Sequence, residues 1–108
     1  MEANRKKTDK LFRGFYLGFI KLHILHHARV EPLYGKEFRK ELERHGYEIS
    51  YGTLYPIFHN LEKDGYLGSE SKKVGGKIRK YYTITKAGRN ALRDSIVKAR
   101  ELMNELAD

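Results

Sequence analysis

Cysteine is absent from the 108 residues, which excludes disulfides, thiolate nucleophiles and thiolate metal sites together. That fits a reducing interior. No apolar run reaches the ~18–20 residues a membrane span needs, and the most apolar stretch, 15–25, is interrupted by Lys21 and His23. The N-terminus lacks the apolar core of a signal peptide. The chain therefore reads as soluble and cytoplasmic, with no membrane partner. Nucleophile elbows, phosphate loops and paired-carboxylate motifs are missing too, so no enzyme is expected. Neither internal repeats nor low-complexity segments occur.

Acidic residues are in deficit. Twenty-two Lys and Arg face fourteen Asp and Glu, for a net charge of +8. Such a balance suits a polyanionic partner, nucleic acid first and an anionic membrane second. A solvated charged surface is the plain alternative, so the distribution of the charge matters more than its total. His23, His26 and His27 have the i, i+3 and i, i+4 spacing of a helical metal pair. No Cys or carboxylate shares their turns, Glu31 being the nearest candidate. They read as helix-surface or interface histidines, and neither metal nor cofactor is expected.

Residues 1–11 form a polar arm or the frayed start of a helix. From Phe12 to Ala28 apolar residues recur at helical spacing, with Phe12, Phe15, Phe19 and Leu22 on one stripe. Leu17, Ile20, Ile24, Leu25 and Ala28 cover other sides. A helix apolar nearly all round must be buried nearly all round, which a chain this short hardly manages alone. Glu31 and Pro32 break the chain, and Leu33-Tyr34-Gly35 lead into a second helix with Phe38 and Leu42 facing inward. Ser50 is a natural N-cap for a third helix to Asp64, stopped by Gly65. Pro56 sits early in that helix and leaves Thr53 as an alternative cap.

Projection of the third helix puts Leu54, Ile57, Phe58 and Leu61 on one side. Gly52, Pro56, His59 and Lys63 lie opposite, flanked by Thr53, Tyr55 and Asn60. Two strand-like segments then flank Gly75-Gly76, as in a β-hairpin. In the second, Ile78, Lys80, Tyr82 and Ile84 alternate with Arg79, Tyr81 and Thr83, so neither face is purely apolar. Thr85 caps a last helix to about Ala107. There Leu92, Ile96, Ala99, Met103 and Leu106 follow a heptad spacing, an apolar seam ~21 Å long at 1.5 Å per residue. A second copy is its natural partner.

Three helices, a hairpin and a final helix make a winged helix-turn-helix: mainly α with a small hairpin, over 12–85, followed by a dimerisation helix over 86–108. One helix enters the major groove while the hairpin, or wing, reaches phosphates or the minor groove. The wing is accordingly basic. From Glu70 to Lys80 stand Lys72, Lys73, Lys77, Arg79 and Lys80 against one acid, a net +4.

Two runs carry a family resemblance. Ser50-Tyr51-Gly52-Thr53-Leu54-Tyr55-Pro56, continuing to Leu61-Glu62 and Gly65, resembles the S-x-G-T-L-Y-P-x-L-x-x-L-E-x-x-G pattern of the PadR transcriptional regulators. Arg79-Lys80-Tyr81-Tyr82-Thr83-Ile84-Thr85-Lys86-Ala87-Gly88 resembles that family's R-x-Y-Y-x-L-T-x-x-G. With a single helix after the wing, the chain looks like the short branch. The resemblance, over about 12–105, implies a sequence-specific regulator of double-stranded DNA, usually a repressor. It also implies a homodimer with the first and last helices at the interface.

The expected DNA contacts are Tyr34, Lys36, Ser50, Tyr51, Thr53, Tyr55, His59 and Lys63 from the helices, with Lys72, Lys73, Lys77 and Arg79 from the wing. Tyr51, Thr53 and His59 are the expected readers of sequence; Ser50 and Lys63 anchor the backbone. Tyr51 and Tyr55 have a second reading, as packing against the wing or the second helix. The expected dimer contacts are Phe12, Phe15, Phe19, Leu92, Ile96, Ala99, Met103 and Leu106. Some relatives respond to small aromatic molecules between subunits. Phe12, Phe15, Tyr16 and Phe19 would line such a pocket here, although an aromatic stripe also reads as core. The competing functions are an architectural DNA binder of low specificity and a winged-helix protein-interaction module.

Overall fold

The computed structural model describes residues 2–107, with side chains from Lys10 onward. In chain order the elements are α1 (Glu2–Val30), β1 (Leu33–Tyr34), α2 (Gly35–Arg44), α3 (Tyr51–Lys63), β2 (Leu67–Val74), β3 (Lys77–Ile84) and α4 (Lys86–Ala107). The backbone of 2–11 is continuous with α1, so no break sets off an arm at residue 11.

Local chemistry accounts for the helix ends. The Ser50 hydroxyl accepts from the Thr53 backbone N–H at 3.2 Å, so α3 starts at Tyr51 despite Pro56 five residues on. The Thr53 alternative is thereby corrected: Thr53 lies inside the first turn, where its hydroxyl meets that of Ser50 at 3.0 Å. After Lys63 the chain leaves through Gly65 at φ +87°, a left-handed value that favours glycine. The Gly88 N–H donates to the Thr85 hydroxyl at 3.0 Å, which starts α4.

The sheet has three antiparallel strands in the order β1-β3-β2. Gly75 and Gly76, at φ +56° and +80°, close a two-residue turn between Val74 and Lys77. The hairpin is present and gains a third strand, since Leu33 and Tyr34 pair with Tyr82 and Tyr81 besides leading into α2. The face of β3 left open by the alternation is also settled. Tyr82 packs its ring 4.7 Å from Phe58, so Ile78, Lys80, Tyr82 and Ile84 share the side toward α3. Lys80 sits there without penalty because its ammonium donates to Glu62 at 2.8 Å.

A single apolar core joins Ile20, Ile24, Leu25 and Ala28 of α1 to Phe38 and Leu42 of α2, and to Leu54, Ile57, Phe58 and Leu61 of α3. Tyr82 and Leu92 close it from β3 and α4. Phe12, Phe15 and Phe19 of α1 and α4 from Ile96 onward stand clear of it. The radius of gyration is 15.8 Å, against about 13 Å for a compact domain of this length.

Where α1 meets α2, four imidazoles gather. The His23 ring lies 6.3 Å from His27 and 5.8 Å from His45, which the sequence left far apart, and His26 is 5.2 Å from His27. Tyr47 lies against His23 and Phe38 against His27, and Glu41 approaches His45 at 3.4 Å. Among the described residues no group of three or more His, Cys, Asp or Glu is placed to hold a metal ion. Burial pushes His23 and His27 below the ordinary imidazole value of 6.5, and the neighbouring histidines push both further; Glu31 opposes this at His27. The neutral rings are thus favoured in the folded state, and their contribution is complete above pH 6.5 and lost as the pH falls below it. The unfolding midpoint is expected to drop between pH 7 and 5, and less steeply in His23→Gln. Equal slopes for the two proteins, from thermal melts across that range, would show that His23 is not the group responsible.

Candidate nucleic-acid interface

The outer face of α3 carries a row of uncovered side chains. Tyr51, Gly52, Tyr55, Pro56, His59, Asn60 and Lys63 are exposed while Leu54, Ile57, Phe58 and Leu61 are buried, as helical projection requires. Tyr51, Tyr55 and His59 lie four residues apart, with ring centroids 6.0 and 6.4 Å from one another. Burial raises the Tyr51 phenol above its ordinary value, so it stays protonated as both donor and acceptor. Its ring also packs over the start of α2, 3.4 Å from where a Cβ on Gly35 would lie. Tyr51 therefore packs over α2, as its second reading expects, while its ring stays exposed. Tyr55 stacks on the Tyr51–His59 row. Thr53 is half-buried and Ser50 spends its hydroxyl on the cap, so both are structural first.

The wing is fastened to α3 by Glu62. Its carboxylate accepts from Lys80 and from the Ser69 hydroxyl, one strand each, and these two bonds hold it below its ordinary pKa against the effect of burial. In the sequence Glu62 stands only as one position of the family pattern, with no role attached, and Ser69 has no place in it. What an acid on a helix does is not legible until the strands it grips are in place. Lys80 is thereby removed from the free charge of the wing.

Arg79 is likewise engaged. Its guanidinium lies 4.7 Å from the Tyr34 ring centre and 3.7 Å from the Glu37 carboxylate. Tyr34, half-buried against Tyr81, is thus a platform for Arg79 more than an outward contact. The remaining wing cations are Lys72, resting 5.5 Å over the Tyr81 ring, and Lys73 and Lys77 at the tip. Among the described residues none of these three forms an ion pair. Lys36, exposed in the first turn of α2, adds a fourth cation beside Tyr34. The groups suit a phosphate backbone: four exposed ammonium groups accompany a helix face of hydrogen-bonding side chains.

A different surface lies on α1 and α4. Phe12, Phe15 and Phe19 on α1 are exposed, as are Ile96, Ala99, Met103 and Leu106 on α4. Leu92 is the exception among the expected seam residues. It is 4 % exposed within the single chain and belongs to that chain's own core. Phe15 and Phe19, with Leu22 and Ala99, line a groove of about 510 Å³ between the two helices. Phe12 and Tyr16 do not line it; Tyr16 turns inward instead, 4.9 Å from the Tyr47 ring. No helix among the described residues is long and apolar enough to cross a membrane.

Comparison with known proteins agrees with this architecture. Residues 24–94 match the family described as "Transcriptional regulator PadR-like family". A transcriptional regulator of Mycobacterium tuberculosis, Rv3488, is 46 % identical over 94 residues, covering 87 % of this chain and 88 % of its own. The crystal structure of a PadR family regulator from Eggerthella lenta superposes with a TM-score of 0.84 at 32 % identity, covering 99 % of this chain and 95 % of that one. A PadR-like transcription factor from Bacteroides fragilis gives 0.78 at 26 % identity, over 90 % and 95 % of the two chains. The chain belongs to the PadR-like family, whose members are transcriptional regulators and not enzymes.

Proposed function

We propose that this chain is a homodimeric repressor that binds a preferred sequence in double-stranded DNA. The observation that carries this reading is the presence of two surfaces in one chain: the uncovered Tyr51–Tyr55–His59 row of α3, and Lys72, Lys73 and Lys77 of the wing, which form no ion pair among the described residues. The row offers hydrogen-bonding edges to bases, and the lysines neutralise phosphates without reading sequence. An architectural binder would put Lys and Arg on the helix face, and an interaction module would have no use for the lysines. Repression follows from occupancy, since a bound dimer excludes other proteins from the same duplex. The exposed apolar faces of α1 and α4 support the dimer, and the groove lined by Phe15 and Phe19 is large enough for a small aromatic effector. Selection of bound duplexes from a random pool tests the reading. A palindromic consensus is expected; no enrichment would refute sequence preference.

Gly52 separates function from fold. A Cβ there would meet nothing nearer than the Ser50 hydroxyl at 3.9 Å, and its φ is not left-handed. Nothing inside the chain requires glycine, and alanine is the better helix former by ~0.5–1 kcal/mol. It stands exposed in the first turn of α3, where free backbone N–H groups suit a phosphate. Gly52→Ala is therefore expected to raise the unfolding midpoint by about 2–5 °C and to weaken duplex binding about tenfold, which corresponds to ~1.4 kcal/mol. Unchanged affinity in a titration would take this turn out of the interface.

A further inference from the structure

On the α3 side of the wing the alternation Ile84, Tyr82, Lys80 continues to Ile78. Tyr82 packs on Phe58, Lys80 pairs with Glu62, and Ile84 packs against the start of α4 at Gly88. Ile78 has no such cover. It is 78 % exposed, opposite Lys73 in the register and next to Lys77 at the turn. An isolated exposed isoleucine on a strand needs no explanation by itself, because strands favour β-branched residues. Its setting does. It leans to the same side of the hairpin as the α3 surface, with Lys73 across from it and Lys77 next to it, lysines that no acid of the described chain engages.

The neighbouring groove selects the partner. With α3 in the ~12 Å major groove, the cleft beside it is the minor groove, about 6 Å wide. The turn here consists of two glycines without side chains, so only the slim end of the hairpin has to reach the mouth of that cleft. The cleft's phosphate rims match Lys72, Lys73 and Lys77, and its sugar walls match an aliphatic side chain. Resting on the duplex-binding reading above, we propose that Ile78 enters the minor groove beside the α3 site and favours A·T over G·C there. The 2-amino group of guanine projects from the floor of that groove, and an isoleucine both collides with it and leaves it without an acceptor.

The test uses the full chain and a duplex selected by it, with each flanking base pair changed in turn to G·C or to inosine·C, which lacks the 2-amino group. The wild type is expected to bind A·T and inosine·C versions alike and one G·C version about tenfold more weakly. Ile78→Ser should shrink that ratio to under about twofold with the salt dependence unchanged, because no charge is lost. Ile78→Val should keep the ratio. A serine variant that retains the full ratio, or a wild type indifferent to every flanking pair, overturns the proposal while leaving duplex binding intact. A wild type with no affinity for any duplex overturns the reading beneath it.

Discussion

Replacing Gly88 by alanine is expected to lower the unfolding midpoint by about 10–20 °C, the loss that ~2–4 kcal/mol produces in a domain of this size. The cause is a close approach at the corner where the wing returns to α4. A Cβ on Gly88 would stand 2.8 Å from Cγ1 of Ile84 and 3.1 Å from the Tyr66 carbonyl carbon, with the Tyr66 carbonyl oxygen nearer still. Real Cβ atoms do not occupy such positions, so backbone must move. That same carbonyl accepts the Thr85 N–H at 3.2 Å, and the Thr85 hydroxyl donates to the Gly65 carbonyl at 2.6 Å. Moving Tyr66 therefore disturbs the bonds that join the end of α3, the root of β2 and the start of α4. The gain in helix propensity, ~0.5–1 kcal/mol, does not offset this. Gly88 and Gly52 make a matched pair: both are helical glycines without left-handed φ, and the same substitution is expected to act with opposite sign. If Gly88→Ala melts with the wild type in calorimetry, the corner relaxes and the close approach is not what requires glycine.

That contrast marks what the sequence alone could convey. Ser50, Gly65 and Thr85 act through neighbours within a few residues, so caps and stops were legible. The buried and exposed sides of α3 followed from a period of 3.6 and were legible too. β1 was not, because two residues are too few for an alternation and their partners Tyr81 and Tyr82 lie far along the chain. Arg79 and Lys80 read as free wing cations for the same reason. Their partners Glu37 and Glu62 come from α2 and α3, and only the strand register shows which cation faces which acid. A helical wheel marks α1 as apolar on several sides, yet it does not say that Tyr16 meets Tyr47 while Phe15 and Phe19 stay uncovered. Leu92 and Met103 fall on one heptad seam in the sequence, but α4 passes over the core at its first end only.

This difference along α4 yields the second large effect. Met103→Asp is expected to leave a folded chain that no longer dimerises at micromolar concentration, whereas Leu92→Asp is expected not to fold. Leu92 is buried within its own chain, so a carboxylate there is desolvated without a partner whatever the second copy does. Met103 is 61 % exposed in the single chain, beside Leu106 and one helical turn from Ala99. Its substitution costs the free subunit little. In a symmetric dimer the residue occurs twice in one interface, so two apolar contacts of ~1.5–3 kcal/mol each are lost and two charges are placed against apolar surface. A rise in the dissociation constant of at least about a hundredfold follows from ~3 kcal/mol. The wild type should also show an unfolding midpoint that increases with protein concentration, and the variant one that does not. Light scattering and melts over a hundredfold dilution decide the matter. A Met103→Asp chain still dimeric at the lowest concentration would move the interface off the C-terminal half of α4, leaving the Phe15 and Phe19 face of α1 as the place to look.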